Sequence, residues 1–255
     1  MKLRLFSFIG ALAIALSASA QTEFSHSEGC CHFLGYDDVG NITFAVTGSI
    51  DYDMPTESTA GLKTLNKLLT QSAGLRISAD GSITFAYFPG DNHQATDEAT
   101  FANAIATESP RTAYKVTASI SKIDETEHFI CMKATSLTKS LTPDGYDIAT
   151  DEYVNYNKDT DAIIDYFDVF NANAERRLRE MMYPIAKKNY PLTISSPDDM
   201  ELVENFAITT EGVTFCFPES AIAPASAGCP EISLTWQQLR AGRCLADEAE
   251  SLLGK

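Results

Sequence analysis

The chain has 255 residues, with 19 Lys+Arg against 35 Asp+Glu and a formal net charge of −16. That excess of acid argues against nucleic acid, whose phosphates need clustered Lys/Arg and would be repelled by this field. With 44% hydrophobic and 10% aromatic residues, the chain is too apolar for a disordered acidic tail and long enough for one large domain or two small ones.

Met1–Ala20 reads as a signal peptide. Lys2 and Arg4 supply the basic start, Leu5–Leu16 is mostly apolar, and Ala18-Ser19-Ala20 meets the small-x-small rule for cleavage. The apolar run is shorter than the ~20 residues of a membrane span, and no Cys follows it closely enough to take a lipid. The expectation is a mature chain starting near Gln21, periplasmic or secreted, not a lipoprotein, and with no membrane span after cleavage. Residues 1–20 hold two bases and no acid, so their removal leaves 17 bases against 35 acids, or −18.

Just beyond, His26, Cys30, Cys31 and His32 place four soft ligands in seven residues. The adjacent cysteines lack the two-to-four-residue gap that lets both thiolates reach one zinc ion, so no metal site is assigned. Asn41–Ile50 is β-branched and alternating, a strand pattern, and Ser58–Gly74 puts Leu62, Leu65, Leu68 and Leu69 on one helical face with Ser58 or Thr59 as cap. Asp80-Gly81 suits the tight turn of a hairpin between Leu75–Ser78 and Ile83–Phe88. Further strands are expected over Thr112–Ile123 and His128–Leu137.

The period then changes. Leu178, Met181, Met182 and Ile185 predict a helix over Asn171–Lys188, with Pro184 as a kink. Asn205–Thr209 and Val213–Phe217 bracket Glu211-Gly212 as a second hairpin, and Ile232–Trp236 is a last strand before a short helix that includes Leu239. Strands mixed with a few helices, without strict β-α-β alternation, predict an α+β fold: antiparallel sheets with a few packed helices.

The six cysteines, Cys30, Cys31, Cys131, Cys216, Cys229 and Cys244, all follow the signal segment. Six thiols allow 15 full pairings. The short Pro-containing connection between Cys216 and Cys229 makes them the favoured pair. Asn157–Asp168 imitates a calcium loop, with oxygen side chains at positions 1, 3, 5, 9 and 12. Its turn glycine, however, is Ala162, and its last ligand is Asp rather than the bidentate Glu. There is no Gly-x-Ser-x-Gly, no His-Glu-x-x-His and no phosphate-binding Gly loop.

Charge is unevenly placed. Asp144–Asp168 has eight acids and one base, Lys158, whereas residues 172–190 carry Arg176, Arg177, Arg179, Lys187 and Lys188 against Glu175 and Glu180. A solvated edge beside a solvated helix face accounts for this pattern. A partner surface for a cation, at Asp144, Asp147, Asp151 and Glu152, accounts for it as well.

Two stretches carry a family resemblance. Glu152–Phe170 (EYVNYNKDTDAIIDYFDVF) is a tyrosine strand, a turn and a second strand. Asn205–Leu239 reads N-F-x-h-T-x-x-G-h-x-F-x-F, then Ile222–Gly228 (IAPASAG), then an apolar strand and a short helix. Together they resemble the extracytoplasmic domain shared by RsiV-type anti-sigma factors and the N-terminal part of PdaC-type peptidoglycan deacetylases. Many members have a Gly-Gly-x-His-like turn before the tyrosine strand; here Pro143-Asp144-Gly145-Tyr146 stands there without His.

The resemblance implies a stand-alone bacterial α+β module of two small interlocking subdomains, usually without assigned catalysis. Some members bind lysozyme, and others accompany peptidoglycan-modifying enzymes. The implied division is a signal peptide over 1–20, a β-rich PdaC-like part over 21–155, an RsiV-like part over 156–245 and a tail over 246–255. The leading expectation is a non-enzymatic envelope module, without catalytic residue, metal or cofactor, that binds a basic lysozyme-like protein or peptidoglycan. An envelope polysaccharide hydrolase using paired carboxylates and a purely structural envelope protein are the alternatives.

Overall fold

The computed structural model describes residues 22–77, 83–86, 93–108, 110–143, 145 and 147–253. The expected signal segment, the Asp80-Gly81 turn and Asp144 lie outside them. Among the described residues no helix is long and apolar enough to cross a membrane.

Among the described residues, twelve strands and five helices follow one another: β1 (Phe24–Tyr36), β2 (Ile42–Pro55), α1 (Ala60–Ser72), β3 (Leu75–Ile77), β4 (Ile83–Phe85), β5 (His93–Thr96), α2 (Glu98–Glu108), β6 (Thr112–Glu125), β7 (Phe129–Ser140), β8 (Ile148–Asn157), β9 (Ala162–Ile164), α3 (Tyr166–Val169), α4 (Ala174–Asn189), β10 (Phe206–Ile208), β11 (Gly212–Cys216), β12 (Glu231–Thr235) and α5 (Trp236–Ala241). The main sheet has the order β5-β1-β2-β6-β7-β8-β9. All its neighbours are antiparallel except β2 and β6, which run parallel across the long connection holding α1 and α2. A three-stranded antiparallel sheet, β10-β11-β12, and the β3-β4 hairpin complete the α+β fold.

Both faces of the main sheet are covered at its centre, and β7 shows why its sequence is apolar without strict alternation. Phe129 and Cys131 pack against α4 and the small sheet, while Ile130, Met132 and Ala134 pack against α1. A strand buried on both faces has no solvent side on which to place polar residues. Helix α1 lays Leu62, Leu65 and Leu69 on the second face, with Thr59 accepting the Leu62 N–H as its cap. Gly61 is needed there because a Cβ would lie 2.3 Å from the Asp161 carbonyl oxygen. That close approach is fixed by Asp161 (φ 55), whose Oδ1 accepts from both Thr59 Oγ1 and Tyr156 Oη at 2.5 Å. Helix α2 closes a smaller core of Leu34, Ala45, Phe101, Ala104 and Ala113.

Several expectations shift in detail. The N-terminal region of His26 and Cys30 is the long strand β1, whose first half lies at the sheet edge beyond the reach of β5. Its exposed, polar first half gave no apolar periodicity to detect. Alternation sends Cys31 to the face opposite His26, Cys30 and His32, so the four soft ligands do not converge on one face. The calcium-like loop is spent on local structure: Asn157 accepts the N–H groups of Asp159 and Thr160, and Asp165 caps α3. Pro184 lies within a continuous α4. A division at 155/156 falls inside β8, and the 246–255 stretch contains a 3₁₀ segment, Asp247–Leu253, that buries Ala249 and Leu252.

The two sheets are joined by asparagine side chains acting as extra rungs. Buried Asn155 on β8 donates to Phe206 O at 2.7 Å and accepts from Ile208 N at 2.8 Å. Reciprocally, Asn205 accepts from Tyr153 N at 2.8 Å and donates to Asp151 O at 2.6 Å. Asn155→Ala strands a buried carbonyl and a buried N–H, so a loss of roughly 2–4 kcal/mol in urea unfolding is expected. Asn155→Asp is expected to be no better than Ala, because a carboxylate cannot donate to Phe206 O.

Glu125, at the end of β6, fastens the N-terminal end of the described chain. It accepts from Thr22 N at 3.0 Å and pairs with Lys122 at 2.9 Å and Lys158 at 3.0 Å. Burial alone would raise its pKa, but the hydrogen bonds from Lys122, Thr22 and Lys158 outweigh this and hold it at about 2. A depressed carboxyl stabilises the fold above its unfolded pKa, and this contribution is lost as pH falls from about 4.5 to 2. Glu125→Gln is therefore expected to lower stability at pH 7 by about 1–2 kcal/mol and to flatten the acid limb of the stability–pH curve.

Candidate functional site

Of the acids singled out by sequence, Asp144 lies outside the described residues, and Asp151 and Glu152 do not share a surface. Asp147 is exposed just before the strand and accepts the Ser140 N–H at 3.1 Å. Asp151 and Glu152 are successive strand residues and point to opposite faces. Glu152 remains exposed, with its carboxyl shifted above the usual range by partial desolvation. Asp151 turns toward the small sheet, where Lys133 Nζ meets it at 2.9 Å.

Lys133, on β7, is the centre of a compact polar cluster. Its Nζ also lies 2.9 Å from Glu231 Oε1 on β12 and 5.0 Å from the centre of the Tyr153 ring. Tyr153 Oη donates to the same Glu231 oxygen at 2.7 Å, and Tyr190 Oη both accepts from Glu231 N and donates to Glu231 O. Ligand atoms of Asp151, Cys216 and Glu231 lie within 4.8 Å of one another, a set with the chemistry to hold a divalent ion. Lys133, however, already places a cation between the two carboxylates, and a second positive charge there would be repelled.

The protonation states point the same way. Burial would lower the Lys133 pKa, but its bonds to Asp151 and Glu231 raise it well above the ordinary lysine value. Burial together with Glu231 pushes the Tyr153 hydroxyl up. Burial, reinforced by Cys229, Glu231 and Asp151, pushes Cys216 up to about 12. These shifts favour the charged Lys133 and the protonated Tyr153 and Cys216 around neutrality, and the cluster clamps the two sheets together.

All six cysteines are thiols in the structure. Cys131, Cys216 and Cys244 are buried, Cys31 and Cys229 are half-buried, and Cys30 is exposed. The Sγ of Cys216 lies 3.8 Å from Asp151 O and that of Cys229 lies 3.9 Å from Ala149 O. The two thiols favoured as a pair by sequence therefore line one edge of β8, two residues apart along it.

A second feature is a cleft of about 630 Å³ between α3, the first half of α4 and the irregular segment 201–204. Its geometry begins at Phe170, a buried ring 5.8 Å from that of Phe206 and 5.4 Å from that of Phe215. With Val169 and Phe170 anchored in the core, the short capped helix α3 turns Phe167 outward, where it is 65% exposed. Tyr166, Glu175, Arg179, Glu201, Leu202, Val203 and Glu204 form the rest of the lining that bears on chemistry. Arg179 pairs with Glu175 through Nη2 and reaches Asp198 O at 3.4 Å through Nη1. Its Nε and the Tyr166 hydroxyl are buried without a hydrogen-bond partner among the described residues. Burial first, then Glu175, pushes the Tyr166 phenol up to about 12, so it is a donor at neutral pH.

Histidines lie apart from both features: His26 meets Asp53 at 3.0 Å, His32 meets Thr47 at 2.9 Å and His128 meets Asp159 at 2.8 Å. Sequence reasoning missed the Lys133 cluster and the cleft. Lys133 and Glu231 are 98 residues apart, and Tyr166 and Glu204 belong to separate elements. No local spacing announces either grouping.

Comparison with known proteins supports the fold and assigns no activity. No curated protein matches the sequence. Over the whole chain, the architecture is similar to crystal structures of a DUF3298 family member from Bacteroides fragilis and a DUF3298 family protein from Pseudomonas aeruginosa. The first has a TM-score of 0.58 at 12% identity and covers 92% of this chain and 98% of that one. The second has a TM-score of 0.55 at 12% identity and covers 91% and 97%. Residues 158–237, from the end of β8 to the start of α5 and including the whole cleft, match the family model described as a protein of unknown function, DUF3298.

Proposed function

We propose that the chain is an exported, non-enzymatic module of the bacterial envelope that binds a basic protein or cell-wall ligand, a lysozyme-like wall hydrolase being the most concrete candidate. The carrying observation is the acid excess, −18 once residues 1–20 are set aside. Much of the basic complement is already engaged: Lys122, Lys133, Lys158, Arg176, Arg179 and Arg240 each pair with carboxylates. The surplus acids set up a field that speeds encounter with a cation and repels polyanions. The resemblance to RsiV-type and PdaC-type extracytoplasmic domains rests on 152–239, which overlaps the 158–237 family match. The signal-like residues 1–20 support export.

Binding of the purified mature chain to hen egg lysozyme, used as a basic probe, tests this reading. Affinity is expected to fall by at least tenfold between roughly 0.02 M and 0.3 M salt, because the Debye length shrinks across that range. An absence of binding at the low-salt end would remove the proposal.

Export would also place Cys216 and Cys229 in an oxidising compartment. There they are proposed to form a disulfide by exchange with a disulfide-bearing oxidant: two thiols lose two protons and two electrons, and the oxidant's disulfide is reduced to two thiols. Peptide mapping of envelope-derived protein without reductant is expected to yield a Cys216–Cys229 cross-linked pair; recovery of both as free thiols argues the opposite.

A further inference from the structure

The α3–α4 cleft combines three recognition elements. Phe167 offers an exposed ring, with half-buried Leu202 and Val203 beside it. Glu201 and Glu204 stand exposed on one wall, without an ion-pair partner among the described residues, while Arg179 is already paired with Glu175. The Tyr166 hydroxyl and Arg179 Nε are donors lacking an acceptor. Unpaired buried donors cost stability, and an arriving acceptor relieves that cost.

We propose that this cleft binds an extended peptide segment with a basic side chain next to an apolar one, its backbone carbonyl accepting from Tyr166. The proposal rests on the reading of the chain as a receptor for a basic protein, and it places the docking surface. The basic group meets Glu201 and Glu204, the apolar side chain packs on Phe167, Leu202 and Val203, and Arg179 Nε offers a second donor to the peptide backbone. The lining carries three acids against one base, so the local field opposes a phosphate or a carboxylate-rich ligand. Both donors are closed from solvent in the unliganded form, so an acceptor reaches them as the irregular 201–204 segment shifts. Leu202 and Val203 of that segment pack half-buried against the core, and its ends are held by the Pro197–Asp199 turn and by Asn205.

The test titrates the whole mature chain with the blocked peptide acetyl-Lys-Leu-Lys-amide at low salt, following backbone amide shifts by NMR. Saturable shifts are expected at residues 166–179 and 201–204. Glu201→Gln/Glu204→Gln is expected to weaken binding about tenfold and Tyr166→Phe about threefold to tenfold. Asp51→Asn/Asp53→Asn, which removes the same charge from β2, is expected to change affinity by less than about twofold. Unchanged thermal midpoints establish that the variants are folded. No saturable shift in the wild type overturns the cleft as a peptide site. Equal weakening by both double variants overturns it too, because the field alone would then be acting. The lysozyme arm separates the two proposals: salt-sensitive binding that ignores Glu201→Gln/Glu204→Gln and Tyr166→Phe rejects the cleft and leaves the basic-partner reading standing. Failure of lysozyme to bind, with the peptide still saturating the cleft, rejects the basic-protein reading and retains the peptide site.

Discussion

The fold depends on how the outer edge of β8 is closed. Strand β9 covers only Asn155–Asn157, which leaves the hydrogen-bonding groups of Ala149–Tyr153 facing away from β7. An uncovered edge of that length is a template for another chain. Here Asn205 takes up Tyr153 N and Asp151 O, Asn155 reaches out to Phe206 O and Ile208 N, the Cys216 thiol also lies against Asp151 O, and the Cys229 thiol lies against Ala149 O. A primary amide presents a donor and an acceptor just as a peptide unit does, so each asparagine continues a ladder where a strand would not fit. The small sheet is thereby held at a fixed offset from the large one.

That offset brings charges together. With β10 set by Asn155 and Asn205, strands β11 and β12 follow by regular antiparallel pairing, and Glu231 arrives opposite Lys133. Asp151, Glu231 and the Tyr153 ring then surround one ammonium, Tyr153 Oη donates to Glu231, and Tyr190 Oη bridges the Glu231 backbone N–H and carbonyl. A half-buried arrangement of this kind adds little net stability over an apolar equivalent, but misplacing one member leaves a charge unpaired, so it selects one docking geometry. The same docking seats Phe170 among Phe206 and Phe215, and the turn of chain that follows from Phe170 exposes Phe167 at the cleft. The cleft's shape is thus a downstream product of the asparagine rungs.

Legibility from sequence followed the range of the interactions. Helix α1, its Thr59 cap and the β10–β11 hairpin are set by residues within a few positions of one another, and periodicity found them. Strand β1 escaped because its first half, exposed over Ser25–Cys30 and not covered by β5, has no buried face to impose alternation. Helix α2 escaped because only Phe101 and Ala104 are fully buried in it, too few for an apolar stripe. The parallel β2–β6 pairing joins segments about 70 residues apart, and nothing local marks it. The acidic run over 144–168 was legible as composition, yet alternation of Asp151 and Glu152 across a sheet is what decides whether such a run makes a surface.

Charge in this molecule therefore has to be sorted by whether it is paired before it says anything about partners. Asp151 and Glu231 are held by Lys133, Glu125 by Lys122 and Lys158, and Glu175 by Arg179; these acids shape the fold and present little field to an approaching ligand. Glu201 and Glu204 differ because the segment that carries them lies beyond the ends of the ordered elements, and Arg179, which lines the same cleft, is already paired with Glu175. An unpaired carboxylate in water costs nothing, and beside an exposed ring and a cleft it retains its full attraction for a cation. Pairing within the sheets gives way at this margin, and Asn205, which ends the margin segment, is the residue that also zips the sheets together.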